Sequence, residues 1–359
     1  MQNSYKALFI DKKRTVKEAM RQMDKTAKKI LFVADNRDIL LGTITDGDIR
    51  RWILAGGDLN KKIIKIYNRE PVYIKKDASK REIRRIVLKI GSSGFPVVDE
   101  KMRVVNVIFW KELIKNDILE EKRTSGLRIP IVIMAGGEGS RLDPFTKILP
   151  KALIPIDDKP AAEIIIENFL DDVTGKIYFI LGYKGDMIKS YFKNIETKYD
   201  IKYISEGKKK YGTAGGLRLL PRNISGTFFL SNCDTLIEAD YNEIYSFHRN
   251  NHYDITMVSS MQHFIVPYGV ISINSGGELK HIKEKPEYDF LVNTGMYVVE
   301  KRLLRLIPAR KNFHMTDLLR KVKKNGGKIG VYPVSEKSWL DIGQWESYRE
   351  ATKRLLAKL

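Results

Sequence analysis

A glycine-rich loop between an apolar run and a helix-like segment constrains this chain more than any other feature. Ile131-Val-Ile-Met134 reads as a buried strand, and Ala161–Leu170 has helical spacing. Between them lies Ala135-Gly-Gly-Glu-Gly-Ser-Arg-Leu-Asp-Pro-Phe-Thr-Lys-Ile-Leu-Pro-Lys151. Glycines 136, 137 and 139 let the backbone turn tightly and set N–H groups against phosphate oxygens, with no Cβ in the way. Arg141 and Lys151 add two cations beside that cradle. The loop is neither a Walker loop, since no GxxxxGK[ST] occurs, nor a clean dinucleotide GxGxxG.

From Ile129 onward, short apolar runs at Ile131–Met134, Ile177–Gly182, Ile201–Ser205 and Thr227–Ser231 alternate with helical candidates at 161–170, 185–194 and 214–220. That alternation predicts a doubly wound α/β domain with a mostly parallel sheet, whose ligands collect at the carboxyl ends of the strands. At 359 residues the chain exceeds one ordinary core, which predicts two domains. Trp345–Leu359 reads as a closing helix.

The first 120 residues carry an internal repeat offset by 64. Leu31-Phe-Val-Ala-Asp35 matches Phe95-Pro-Val-Val-Asp99, and Leu41-Gly-Thr-Ile-Thr-Asp-Gly-Asp-Ile49 matches Val105-Asn-Val-Ile-Phe-Trp-Lys-Glu-Leu113. Helix-like stretches, Val16–Met23 and Lys80–Leu88, precede each pair. Each unit, about 1–60 and 61–120, is too small to bury its apolar face alone, so the two are expected to pack together. Residues 121–128 are polar and aperiodic, a short linker to a second domain spanning 129–359.

Charge and cysteine usage narrow the classes. Residues 1–128 hold 30 Lys+Arg against 17 Asp+Glu, within a net charge of +20 for the chain. The basic residues are scattered and no nucleic-acid motif accompanies them, so a surface that attracts nucleotides and sugar phosphates is expected rather than nucleic-acid binding. No apolar run reaches the length of about 18 residues needed to span a membrane, and the N-terminus lacks a secretory pattern. A single cysteine, Cys233, rules out an internal disulfide and fits a reducing cytoplasm.

The second domain resembles the sugar-1-phosphate nucleotidyltransferases, or nucleoside-diphosphate-sugar pyrophosphorylases. Besides the GGxGxRLxPxTxxxPK loop, the matching stretches are Glu206 with Gly212-Thr-Ala-Gly-Gly-Leu217, Ser231-Asn-Cys-Asp234, Pro267-Tyr-Gly-Val270, Glu284-Lys-Pro286, Asn293-Thr-Gly295 and Trp339-Leu-Asp-Ile-Gly343. The resemblance implies a Rossmann-like fold and in-line attack of a sugar-1-phosphate oxygen on the α-phosphorus of a nucleoside triphosphate. Both reactants are anions, so neutralising charge and holding geometry is the main task. It implies Mg²⁺ on Asp234 and Asp341, with Arg141, Lys151 and Asp234 catalytic and Lys285 on the sugar phosphate. Ala135, Gly136, Gly137, Gly139, Ser140, Glu206, Gly212 and Thr213 would hold the nucleotide, and Gly269, Glu284, Asn293 and Thr294 the sugar. Taken singly, each has an ordinary structural explanation: Asp234 and Asp341 as turn residues, the glycines as packing positions, the cations as solvated charges. Their joint order favours the site.

Glu206 stands where thymine- or uracil-reading relatives often carry Gln. A carboxylate accepts both N1–H and the 2-amino group of guanine, which favours GTP. Departures from the pattern are Ser140 and Gln344, each in place of Thr, and Cys233 in place of Gly; the cysteine reads as a buried structural residue rather than a nucleophile.

The N-terminal repeat resembles a tandem pair of cystathionine-β-synthase-type (CBS) domains, which bind adenine nucleotides in many proteins. It implies an adenine-nucleotide site at Thr45 and Asp48, although the same residues would also cap the following helix. Phe109 and Glu112 replace them in the second unit, and Phe109 cannot hydrogen-bond a phosphate. The fused arrangement is similar to the guanylyltransferases of bacterial legionaminic acid synthesis, which implies glucosamine-1-phosphate as acceptor, with mannose-1-phosphate next. A catalytically silent nucleotide-sensing subunit is the competing class, and it tends to lose the cations and carboxylates present here. The closing helix and the paired units are candidate homodimer elements.

Overall fold

The computed structural model describes residues 4–79, 82–83, 86, 94–109, 127–170, 172–173, 175–195, 199–207, 209–309 and 311–356. Most of the helical candidate Lys80–Leu88, Glu112, linker residues 121–126 and positions 357–359 of the closing helix lie outside the described residues. The chain divides into two compact units, Met1–Arg123 and Thr124–Leu359.

In the first unit the sequence repeat reappears as a structural one. Phe9–Ile10, Ile30–Ala34 and Leu40–Thr45 form one three-stranded sheet; Ile74–Lys75, Gly94–Val98 and Val104–Phe109 form another with the same order and directions. Both middle strands shift register at matching places, Val33/Ala34 and Val97/Val98. Matching aspartates shape the turns that follow. Asp35 accepts the N–H groups of Arg37 and Ile39, and Asp99 accepts those of Lys101 and Arg103. The two turns then pair with each other: Leu40 N–H donates to Met102 C=O, and Val104 N–H donates to Asp38 C=O, each at 2.9 Å. The repeats are thereby joined through equivalent edges.

Helix Asp46–Leu54 begins at Thr45, whose Oγ1 accepts Asp48 N–H at 3.2 Å while the Asp48 carboxylate accepts Thr45 N–H at 2.8 Å. This reciprocal box satisfies two backbone donors that the helix start would leave bare. Thr45→Ala removes the cap and is expected to cost about 1 kcal/mol, read as a lower urea midpoint for this unit. At the equivalent place in the second repeat, the Phe109 ring carries the Lys28 ammonium 3.8 Å above its centre.

The second unit is built on a seven-stranded sheet: β1 Ile131–Ala135, β2 Ile177–Leu181, β3 Ile201–Ser205, β4 Thr227–Asn232, β5 Ile255–Ile265, β6 Glu287–Glu300 and β7 Ile329–Val334. Their order is β3-β2-β1-β4-β6-β5-β7, and β6 alone runs against the others. The central sheet is therefore mostly parallel, as the alternation of apolar runs and helical segments predicts. Continuous apolar runs arise because both faces are covered. Ile131, Ile133, Phe179 and Phe229 face helix Ala161–Leu170 through Ile166 and Phe169, whereas Val132, Ile180, Phe228 and Leu230 face Leu318 and Val322 of helix Met315–Lys324.

Two expectations need correction. Residues 214–220 do not form one regular helix: a single turn at Gly212–Gly215 passes into a 3₁₀ turn at Gly216–Leu219, because glycine at three of these positions weakens helical order. The sheet also continues beyond the four strands read from sequence, through the long antiparallel pair β5/β6 and on to β7, and a separate exposed two-stranded ribbon pairs Val270–Ile273 with Leu279–Lys283.

Candidate active site

The carboxyl ends of β1 to β4 surround a cleft of about 670 Å³. Gly136, Gly137, Gly139, Ser140 and Arg141 follow β1; Gly182 and Tyr183 follow β2; Glu206, Gly212 and Thr213 follow β3; Cys233 and Asp234 follow β4. Gly139 has φ 70°, and a Cβ there would lie 2.9 Å from Thr146 Cγ2 and 3.2 Å from Lys151 Cβ. The turn and the passage of the Lys151 stem both require glycine at this position. The loop is anchored by Thr146, whose hydroxyl donates to Gly139 C=O or Asp143 Oδ1, and by Trp345 of the closing helix Trp345–Leu356, whose indole N–H donates to Asp143 C=O.

Two carboxylates distant in sequence meet through a small antiparallel pair. Thr235–Ile237 runs against Trp339–Asp341 with Thr235 opposite Asp341, and Ile342 N–H donates to Asp234 C=O at 3.0 Å. A Cβ on Gly343 would lie 2.8 Å from Asp341 Oδ1, 2.8 Å from Lys151 Nζ and 2.9 Å from Asp234 Oδ2. Those three charged atoms therefore crowd around one point. Lys151 forms an ion pair with Asp234, both side chains being largely buried, and Gly343 N–H donates to Asp341 Oδ1 at 2.8 Å. Burial raises the Asp341 pKa, the Gly343 N–H lowers it, and the Asp234 charge raises it against Lys151 and Arg141. Cys233 is buried, and its thiol is pushed up to about 12 by that burial, which leaves it inert as a nucleophile.

Glu206 is 9% exposed and its carboxyl sits in a slot made by glycines. A Cβ on Gly136 would lie 2.2 Å from Oε2, and one on Gly216 would lie 2.4 Å from Oε1. Burial alone pushes the Glu206 pKa from 4.5 up to about 7. The folded state thus holds this proton more tightly than the unfolded chain, and stability falls as pH rises from 4.5 to about 7. Glu206→Gln is expected to unfold at higher temperature than the parent above that range, by the equivalent of about 3 kcal/mol at most, with the difference closing near pH 4.5.

The remaining residues singled out from sequence sit elsewhere. Ala135 is buried at the end of β1. Gly269, Glu284, Lys285, Asn293 and Thr294 do not line the cleft; the first three lie on or beside the exposed ribbon, and Lys285 turns with φ 41° into β6. Glu284 Oε2 lies 3.0 Å from where a Gly269 Cβ would be. Asn293 donates to Tyr297 Oη and accepts Gly295 N–H. Thr294 is buried, its hydroxyl donating to Val258 C=O and accepting Met296 N–H. Conversely, the cleft includes residues the sequence reading did not assign: Tyr183, Lys209, Lys210 and Asn312, together with His314. Lys209 and Lys210 belong to a triple lysine just after Glu206, a signal legible in the sequence. Asn312 and His314 arrive through tertiary packing, with Ala214 and Gly215 N–H groups both donating to Phe313 C=O.

The nucleotidyl transferase family model matches residues 131–358, and the CBS domain model matches 4–55 and 63–119. The chain belongs to the nucleotidyl transferase family, with a CBS pair at its N-terminus. It is similar to the bifunctional protein GlmU of Methanococcus maripaludis, 31% identical over 64% of this chain and 54% of that one. It is also similar to the UTP–glucose-1-phosphate uridylyltransferase of a Synechocystis species, 28% identical over 63% of each. The alignments thus span between half and two-thirds of these relatives' length. Among solved structures, HddC from Yersinia pseudotuberculosis complexed with GMP-PN superposes with a TM-score of 0.50 at 25% identity, covering 63% of this chain and 99% of that one. No helix among the described residues is long and apolar enough to cross a membrane.

Proposed function

We propose that this chain transfers a guanosine monophosphate unit from GTP to glucosamine-1-phosphate, releasing pyrophosphate and forming a nucleoside-diphosphate sugar for a bacterial surface glycan such as legionaminic acid. The observation that carries this reading is the meeting of a glycine cradle, Arg141, Lys151 and Asp234 at one cleft beyond the strand ends, with the Asp341 carboxylate beside Lys151 and Asp234 at Gly343.

The triphosphate lies on the N–H groups of 136–139, where Arg141 and Lys151 offset the charge that gathers on the leaving pyrophosphate. Lys151 balances Asp234 in the free site and runs its stem along Gly139, which puts its ammonium between the acidic pair and the phosphate cradle. Asp234 and Asp341 present hard oxygen donors to one spot, a donor set that fits Mg²⁺. When bound there, the ion supplies charge neutralisation at the phosphates. Glu206 reads the base. Lys285 takes the sugar phosphate, Gly269, Glu284 and Asn293 surround the sugar, and buried Thr294 holds Asn293 in position.

In the first unit, an adenine nucleotide that engages Thr45 and Asp48 must exchange contacts with the cap they already form. Such regulation shifts catalytic parameters when AMP or ATP is added, and constant parameters would discard it. For the reaction itself, the test is turnover with GTP, UTP, dTTP and CTP against glucosamine-, N-acetylglucosamine- and mannose-1-phosphate. GTP with glucosamine-1-phosphate should lead. Equal or better turnover with UTP removes the guanine assignment.

A further inference from the structure

We propose that Lys184 is a positioning residue for the transfer reaction. Its ammonium grips the turn between Arg141 and Lys151 and so sets both cations against the phosphates. The inference rests on the proposed reading of those two cations.

The turn needs such a grip. Phe145–Ile148 is one helical turn, and the carbonyls of Thr146, Lys147 and Ile148 lie at its open end. Continuing the helix would require Pro150 to donate to Thr146 C=O, and proline has no N–H. Apolar burial holds the turn weakly, since Phe145 is 43% and Ile148 70% exposed. Its buried residue is Thr146, whose hydroxyl reaches Gly139 C=O at 3.1 Å. The turn is therefore tied to the phosphate cradle, and slack in it passes to Arg141 on one side and Lys151 on the other.

Lys184 supplies the missing donors. Its ammonium donates to Ile148 C=O at 2.9 Å and to the carbonyls of Lys147 and Thr146, which matches its three protons to three acceptors. Tyr183 donates its hydroxyl to the same Thr146 C=O at 3.2 Å. From the closing helix, Trp345 donates to Asp143 C=O at 3.1 Å, its ring centre lies 4.8 Å from that of Phe145, and Tyr348 donates to Pro155 C=O. The segment from Asp143 to Pro155 is thus fixed by two elements, and neither Lys184 nor Trp345 lines the cleft. The backbone of Lys184 points to the same role. It stands in the left-handed region at φ 51°, just before helix Gly185–Lys193, where glycine is the unstrained residue. A lysine there carries strain, and the three carbonyl contacts are what offset it.

Lys184→Gly separates positioning from folding, because it removes the ammonium and relieves the backbone strain together. Turnover by the full chain is measured with Mg²⁺, GTP and glucosamine-1-phosphate, or with whichever nucleotide and sugar phosphate the parent accepts best. The Trp345 contacts remain, so the turn should shift by well under about 1 Å and kcat should fall about tenfold. KM for the sugar phosphate should stay within about twofold of the parent, since its assigned residues lie elsewhere. The thermal midpoint should match the parent. Lys184→Arg keeps a cation with several donors on the same backbone and should restore kcat to within about threefold. Unchanged kcat in Lys184→Gly overturns the proposal and leaves the reaction assigned. A fall in kcat that comes with a lowered thermal midpoint, or that Lys184→Arg does not relieve, assigns Lys184 to the fold alone and also overturns it. A parent that turns over no pair of substrates overturns the proposed function, and the positioning role with it.

Discussion

Asp234→Asn is expected to lower Mg²⁺-dependent pyrophosphate release by about 10³-fold, on the order of 4 kcal/mol of transition-state stabilisation. The substitution keeps size and removes one negative charge. It acts at two levels: the acidic pair loses half its capacity to hold a cation, and Lys151, largely buried, loses its counter-charge. The second effect destabilises the fold as well, so the variant should unfold at somewhat lower temperature while retaining its circular dichroism. Coupled detection of pyrophosphate at saturating GTP and sugar-1-phosphate measures the first effect. Release within a few-fold of the parent would remove Asp234 from the chemistry.

Gly343→Ala is the second large effect, and it tests geometry rather than charge. Gly343 does not occupy the left-handed region, so alanine fits its backbone. Its methyl, however, would fall within 2.9 Å of Asp341 Oδ1, Lys151 Nζ and Asp234 Oδ2. At least two of the three must move, and displacement of about 1 Å in such a site costs about 10²-fold in rate. The expected result is a fall in kcat/KM of that size with thermal stability close to the parent. Unchanged kinetics would show that the three groups need not converge for turnover.

Much of this architecture was legible because one physical signal dominates it. Strands buried on both faces give uninterrupted apolar runs, and all four runs read from sequence in the second unit are strands within one residue at their ends. The repeat in the first unit was legible for a related reason: Asp35 and Asp99 each make the same turn, so the turn chemistry is written twice. The β5/β6 pair escaped because its outer half is not buried. Phe264, Ile265, Tyr288 and Phe290 lie exposed, and without a buried face their pattern has no simple period. Thr294 illustrates a different limit. Its place beside Asn293 suggested a sugar contact, but strand alternation turns its side chain into the core, where both capacities of its hydroxyl are used. Glu206 shows the converse, since its residue type was readable but its glycine slot was not. Gly136, Gly182 and Gly216 come from three separate segments, and only folding brings them around one carboxyl.

The convergence of Asp234 and Asp341 on one cation and one triphosphate is tested most directly by crystals grown with GTP and Mn²⁺ and measured for anomalous scattering. The account predicts one peak touching both carboxylates and the nucleotide phosphates, with Lys151 turned toward a phosphate oxygen. A peak bound elsewhere, or a nucleotide held with the two carboxylates facing away from it, would contradict it.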